Sequence, residues 1–164
     1  MSRLERFKVA QNQAHAGFAS ALEEIRAGAK VGHWIWYIFP QLGGLGSSSA
    51  SRAFAIDGEE EAIEYLRDPE LRSRLLTMTS AVAQQLKTGK ARSLRALMGS
   101  DIDVQKLVSS LTLFEHVANR LDAVPDHHDA CRSLAAIAED VLAAAASEGY
   151  PACPYTLERL RRRE

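Results

Sequence analysis

"HWIWYIFPQLGGLGSSS", His33 to Ser49, sets two tryptophans, a tyrosine and a phenylalanine against an abrupt Gly/Ser run. Read with period two it is a strand, with His33, Ile35, Tyr37 and Phe39 on one face and Trp34, Trp36 and Ile38 on the other. Such a strand needs a partner. No other segment has an alternating β-branched or aromatic run, and a lone strand leaves its backbone donors and acceptors unpaired. The stretch therefore reads as a helix. Helical spacing puts Lys30, His33, Tyr37 and Gln41 on one polar-tipped stripe, while Trp34, Ile35, Ile38 and Phe39 face elsewhere. Pro40 ends the helix by restricting Phe39, and the glycines that follow permit turns with positive φ.

With that choice made, the remaining segments are helices too. Ser2 with Glu5 reads as a capping box, and Leu4, Phe7, Ala10, Ala14, Phe18, Ala21, Leu22 and Ile25 recur at helical spacing, giving one long first helix up to Gly28. Asp57 is a candidate N-cap for a short helix whose first turn carries acids, where the helix dipole favours them. Asp68-Pro69 starts the next, with Leu71, Leu75, Met78, Val82 and Leu86 on its apolar face and Gly89 as its end. "LRALMG" is a short apolar-periodic piece ended by Gly99. Ser100 with Asp103 forms a second capping box before the stripe Val104, Leu107, Val108, Leu111, Phe114, Val117, Ala118 and Leu121. After Pro125 an Ala-rich stretch of high helix propensity runs to Gly149, and "YTLERLRRR" forms a last helix.

The expectation is an all-α single domain, residues 1–164, built as a bundle or array of about six to eight helices with no significant β-sheet. Its core combines the first helix, the His33–Phe39 helix and the Val104–Leu121 helix, with the Gly/Ser loop at the rim and the tail from about residue 150 at the periphery. A chain of 164 residues buries roughly two thirds of the surface its unfolded form exposes.

Composition narrows the function classes. Lys plus Arg number 20 against 21 for Asp plus Glu, a formal charge of -1, so no global field draws in nucleic acid or acidic lipid. The two cysteines, Cys131 and Cys153, have no metal or redox spacing and fit a reducing compartment. The N-terminus has no secretion-signal pattern, and apolar runs such as Trp34 to Phe39 fall far short of the roughly 20 residues of a membrane span. The cytoplasm is the expected location, and membrane and nucleic acid are not expected partners.

The candidate site lies where the aromatics meet "QLGGLGSSSASR". Gly43, Gly44 and Gly46 let backbone N–H groups converge, and Ser47 to Ser49 add hydroxyls, an arrangement suited to an anion. No acid occurs between Glu24 and Asp57, whereas Arg26, Lys30 and Arg52 do. Trp34, Trp36 and Tyr37 offer a flat apolar wall, and His33 can carry a proton. The loop matches neither the lysine-containing phosphate loop nor a dinucleotide fingerprint, and the bland reading is that the tryptophans are core and the glycines a tight connection.

Other groups carry less. Gln105, Ser109, Thr112 and His116 share a helix face, although mid-helix Ser and Thr commonly bond the preceding turn. "DHHDAC" holds His127, His128, Asp129 and Cys131, but adjacent histidines do not share a face and zinc-site spacing is missing, so no metal or other cofactor is expected. Lys87, Lys90, Arg92 and Arg95, like Arg159 and Arg161 to Arg163, read as solvated cations. Glu59 to Glu61 sit where a helix N-terminus favours acids in any case.

"FKVAQ", "ALEEIRAGAKVGHWIWYIFPQLGGLGSS", "EAIEYLRDPELRSRL" and "KLVSSLTLF" together resemble the bacterial family known as domain of unknown function 1810. The resemblance is strong to about Phe114 and weaker beyond. It implies a small, mainly α-helical single domain, and no activity comes with it. Some members carry a calpastatin-like label, but that inhibitor type is disordered and this composition is globular. Gln11, Lys30, His33, Trp34, Trp36, Pro40, Gln41, Gly44, Gly46, Ser47, Lys106, Ser109 and Ser110 match the family pattern. His15 and Phe54 stand where tyrosine is usual, and Val108 where arginine is usual.

The functional expectation is recognition of a small anionic or nucleotide-like ligand at His33 to Arg52. Lys30, Trp34, Trp36, Tyr37, Gln41, Gly44, Gly46, Ser47, Arg52, Lys106 and Ser109 would bind it, and His33 would serve as the proton-transfer group if hydrolysis occurs. The alternative is a non-catalytic interaction module that binds a protein or a second copy of itself.

Overall fold

The computed structural model describes residues 2–121 and 128–162. Among them run ten helices: α1 Glu5–Gln11, α2 Phe18–Ala27, α3 Ile35–Ile38, α4 Ser49–Ala53, α5 Gly58–Arg67, α6 Pro69–Thr88, α7 Leu94–Met98, α8 Asp101–Leu121, α9 His128–Ser147 and α10 Pro154–Arg161. The fold is all-helical, with more and shorter helices than the sequence suggests. An isolated parallel bridge joins Leu42 to Ile56.

Helix α8 is the axis. Its buried residues, among them Val104, Leu107, Val108, Leu111, Leu113, Phe114, Val117 and Leu121, occupy most of its circumference, the pattern of a helix surrounded by others. α9 packs along it with Cys131, Leu134, Ala138, Val141 and Ala145 and also touches α6; its alanines let the backbones approach. α3, α5, α7 and α10 contact α8 as well, while α2 lies on α6 and α1 on α3.

Several termini follow the local code. The Asp68 carboxylate accepts from the Glu70 and Leu71 N–H groups at 3.0 Å each, with Pro69 in the first turn of α6. Ser100 Oγ accepts from Asp103 N at 3.2 Å. α7 ends at Gly99 in the left-handed region.

Three expectations change. The long first helix is two, because Ala16 takes a positive φ and the Tyr37 hydroxyl donates to the Ala16 carbonyl at 2.7 Å. The His33–Phe39 helix shrinks to the single turn α3, so Lys30, His33, Tyr37 and Gln41 do not form one exposed stripe: Tyr37 and Gln41 are buried and His33 is exposed. The C-terminal segment is not peripheral either. Cys153, Thr156 and Leu160 are buried, and Cys153 N donates to Thr112 Oγ1 of α8 at 3.2 Å.

Candidate functional site

The entry to α3 is tied down from behind. α2 stops at Gly28 in the left-handed region, and the chain returns with Lys30 N donating to the Leu97 carbonyl at 2.7 Å. One oxygen of Glu24 accepts from Val31 N and Gly32 N at 2.6 Å each and from Trp34 Nε1 at 3.1 Å. Burial alone would push the Glu24 carboxyl up, but these bonds, together with the Lys30 charge, hold it below the usual carboxylate range. Lys30 Nζ lies 4.9 Å from the centre of the Trp34 ring, 2.8 Å from Asp103 and 2.6 Å from the Gly32 carbonyl. With its side chain only 6% exposed, Lys30 is neutralised inside the fold, and Trp34 is wholly buried. These two expected ligand contacts form an internal brace, because Asp103 of α8 supplies the counter-charge that residues 25–56 lack.

Two residues on, a second lysine–tryptophan pair is open. Lys106 Nζ lies 5.1 Å from the Trp36 ring centre, and among the described residues it has no acidic partner. Trp36 is half-buried, and its Nε1 is buried with no hydrogen-bond partner among the described residues. The same turn of α8 lines a cleft of about 290 Å³ through Gln105, Val108 and Ser109, opposite Leu45 of the Gly/Ser loop and the segment from Gly149 to Pro154. Ser109 is 6% exposed, and its hydroxyl bonds to no described residue. The nearby Thr112 hydroxyl, by contrast, returns to the Val108 carbonyl at 2.7 Å.

The loop itself is built rather than slack. Gly43 N donates to the Ile56 carbonyl at 3.0 Å, and Ile56 N to the Gln41 carbonyl at 2.9 Å. Gly44 has φ +97°, and the Tyr155 hydroxyl, donating to the Gly43 carbonyl at 2.8 Å, fills the space a Cβ there would need. Gly46 sits against Ser51, with the buried Gln41 amide nearby. Ser48 Oγ caps α4 by accepting from Ser51 N at 3.1 Å. Ser47 is exposed, and its carbonyl accepts from the exposed Arg52 guanidinium. Among the described residues, the N–H groups of Gly44, Leu45, Gly46 and Ser47 donate to nothing.

The expected site residues thus divide. Ser109 lines the cleft, Trp36 and Lys106 pair with each other outside its lining, and Gly44, Gly46, Ser47 and Arg52 belong to the loop and the short α4 that follows it. Lys30, Trp34, Tyr37 and Gln41 support them from inside. His33 is exposed and does not line the cleft.

A cluster the sequence does not announce lies on the other side of the loop. Glu59 is buried, with His116 Nε2 at 3.2 Å and the Arg120 guanidinium in contact, and it borders a second cavity of about 340 Å³ shared by Gly43, Tyr155 and Arg159. Neighbouring Glu61, also buried, accepts from Arg6 at 2.9 and 3.0 Å and from Asp57 N at 2.9 Å. These acids are internal ion-pair partners rather than dipole-facing surface groups. No pattern marks a pair 57 residues apart. Among the described residues no group of three His, Cys, Asp or Glu is placed to hold a metal, and no helix is long and apolar enough to cross a membrane. In "DHHDAC", Asp126, His127 and the His128 side chain lie outside the described residues, as does Arg163 in the basic tail.

The chain belongs to the family described as Protein of unknown function (DUF1810), whose model matches residues 1–130. It is similar in structure to the conserved hypothetical protein Rv1873 from Mycobacterium tuberculosis, at 33% identity over 94% of both chains and a TM-score of 0.71. No functionally curated protein matches it.

Proposed function

We propose that this family member is a small-ligand-binding protein, and that the cleft between the Gly/Ser loop and the 149–154 segment takes an anionic, nucleotide-like molecule. One observation carries the reading: on α8, α3 and the loop, a buried indole N–H and several open donors have no hydrogen-bond partner among the described residues. They are the Trp36 indole N–H, the Ser109 hydroxyl, the Lys106 ammonium and the loop N–H groups of Gly44 to Ser47. The buried Trp36 N–H without a partner is costly, and the loop N–H groups and Lys106, which solvent can reach, add donors that an acceptor-rich ligand would bond. Leu45, Val108, Tyr150 and Pro151 supply apolar walls, and a cleft of about 290 Å³ is of ligand-site size. The reading is one of binding: His33, the proton-transfer group that the sequence offers, is exposed and does not line the cleft.

A thermal-shift series with nucleotides, sugar phosphates and ADP-ribose tests it. A ligand that binds only the folded state raises the melting temperature by mass action. The expected result is a shift with at least one compound that disappears in Lys106→Met. Absence of a shift with every compound, or a shift kept in that variant, would count against it.

A second reading has its own observation. Val31 and Ile102 are 80% and 63% exposed and flank the Lys30–Asp103 pair, an apolar spot that a protein partner or second copy would cover. Sedimentation at increasing concentration tests it: self-association that Val31→Asp removes would favour this reading.

A further inference from the structure

The second cavity, of about 340 Å³, is bounded by Leu42 and Gly43, residues 55–59 and α10, and shares no lining residue with the cleft. Its walls carry both signs of charge. Glu59, in the first turn of α5, is 7% exposed; its Oε1 takes both His116 and Arg120, while its Oε2 bonds to no described residue. The Arg159 guanidinium lies 4.8 Å from the centre of the Tyr155 ring and has no acidic partner among the described residues. The Tyr155 hydroxyl is itself fixed on the Gly43 carbonyl, so the ring holds the guanidinium at the cavity wall. Asp57 lines the cavity too, but its side chain is 89% exposed and lies 3.6 Å from Arg3. Leu42, Ile56 and Leu160 supply apolar surface between the charged groups.

This combination selects its occupant by charge. A simple anion drawn to Arg159 would lie beside the Glu59 and Asp57 carboxylates, and a simple cation drawn to Glu59 would meet Arg159. A molecule that carries both charges satisfies both walls. We infer that the second cavity binds a free α-amino acid with an aliphatic side chain. Its ammonium donates to the open oxygen of Glu59, its carboxylate takes the Arg159 fork, and its side chain lies on Leu42, Ile56 and Leu160. His116 and Arg120 are positioning residues, because they hold the other Glu59 oxygen and fix the carboxylate at the wall. Neither Glu59 nor Arg159 enters the nucleotide reading above, so the two sites stand or fall separately.

Calorimetric titration of the full chain with alanine, valine and leucine tests the inference, alongside leucinamide, which lacks the carboxylate, and 4-methylpentanoate, which lacks the ammonium. The expected result is saturable binding of leucine, with both truncated analogues roughly tenfold weaker or more. Arg159→Met, a change at an exposed residue, should weaken leucine by about tenfold and leave leucinamide unchanged. That split would not follow from a merely structural role. Glu59→Gln should weaken leucine and leave 4-methylpentanoate unchanged, with the melting temperature followed in parallel because Glu59 also pairs with His116 and Arg120. No binding of any of the three amino acids at millimolar concentration would overturn the inference. So would leucine binding undiminished in Arg159→Met, or either truncated analogue binding as tightly as leucine.

Discussion

Two tryptophans two residues apart each carry a lysine over the ring, at 4.9 Å for Lys30 on Trp34 and 5.1 Å for Lys106 on Trp36. In the first pair every polar atom is answered: Asp103 and the Gly32 carbonyl take the ammonium, and Glu24 takes the indole N–H. In the second pair neither is answered within the described residues, and Gln105, Val108 and Ser109 on the same stretch of α8 line a cleft. The same side-chain chemistry is thus a structural brace in one place and, on the function proposed above, a recognition surface in the other. The surroundings decide which: α8 presents Asp103 to the first lysine and no acid to the second.

The sharpest way to break this contrast is to remove each lysine in turn. Lys30→Met strands the Asp103 carboxylate and should cost about 3 kcal/mol in urea unfolding, the scale of a largely buried ion pair losing one member. A cost no larger than that of Lys106→Met would collapse the distinction. Gly44→Ala should cost about 2 kcal/mol, because a side chain at positive φ is strained and its Cβ would run into the Tyr155 hydroxyl. Tyr155→Phe, which removes only the bond to the Gly43 carbonyl, should cost about 1 kcal/mol.

Acid sharpens the contrast further. The Glu24 carboxyl titrates below its ordinary value of 4.5, so the folded state binds that proton less readily than the unfolded state. Its contribution is present above pH 4.5 and is lost as pH falls through the lower, folded-state value. Glu24→Gln should therefore be less stable at neutral pH and show a shallower acid decline in melting temperature. An unchanged decline would remove Glu24 from the brace. The smallest effect belongs to Lys106→Met, expected within about 0.5 kcal/mol of wild type in stability while the ligand-dependent shift is lost.

Much of the helical framework was legible because its ends are set locally. Asp68-Pro69, Gly89, Gly99 and Ser100 with Asp103 each bound a helix through their own backbone or side-chain chemistry. The break after Gln11 was not, since Gln, Asn, Ala and His at residues 11–16 suit a helix well enough. Tertiary bonds fix that break: Gln11 Nε2 donates to the Tyr37 carbonyl at 2.8 Å and to the Tyr65 hydroxyl at 3.1 Å, while Tyr37 holds the Ala16 carbonyl. In the candidate site, the aromatic stretch and the Gly/Ser loop stood out by residue type. Which tryptophan is sealed depends on Glu24 and Asp103, and the far wall comes from residues 149–154; distances of this kind along the chain leave no local signature. α4 is a comparable case, one turn started by Ser48 within a loop that reads as Gly/Ser coil.

The most direct measurement uses the fact that the chain has only two tryptophans. In a nitrogen–proton correlation spectrum each indole N–H gives its own resonance, assigned by Trp34→Phe and Trp36→Phe. Titration with ADP-ribose, or with the nucleotide that gives the largest thermal shift, should move the Trp36 signal and leave the Trp34 signal in place. Movement of the Trp34 signal alone, or no movement of either at saturating concentrations, would contradict the assignment of one pair to bracing and the other to recognition.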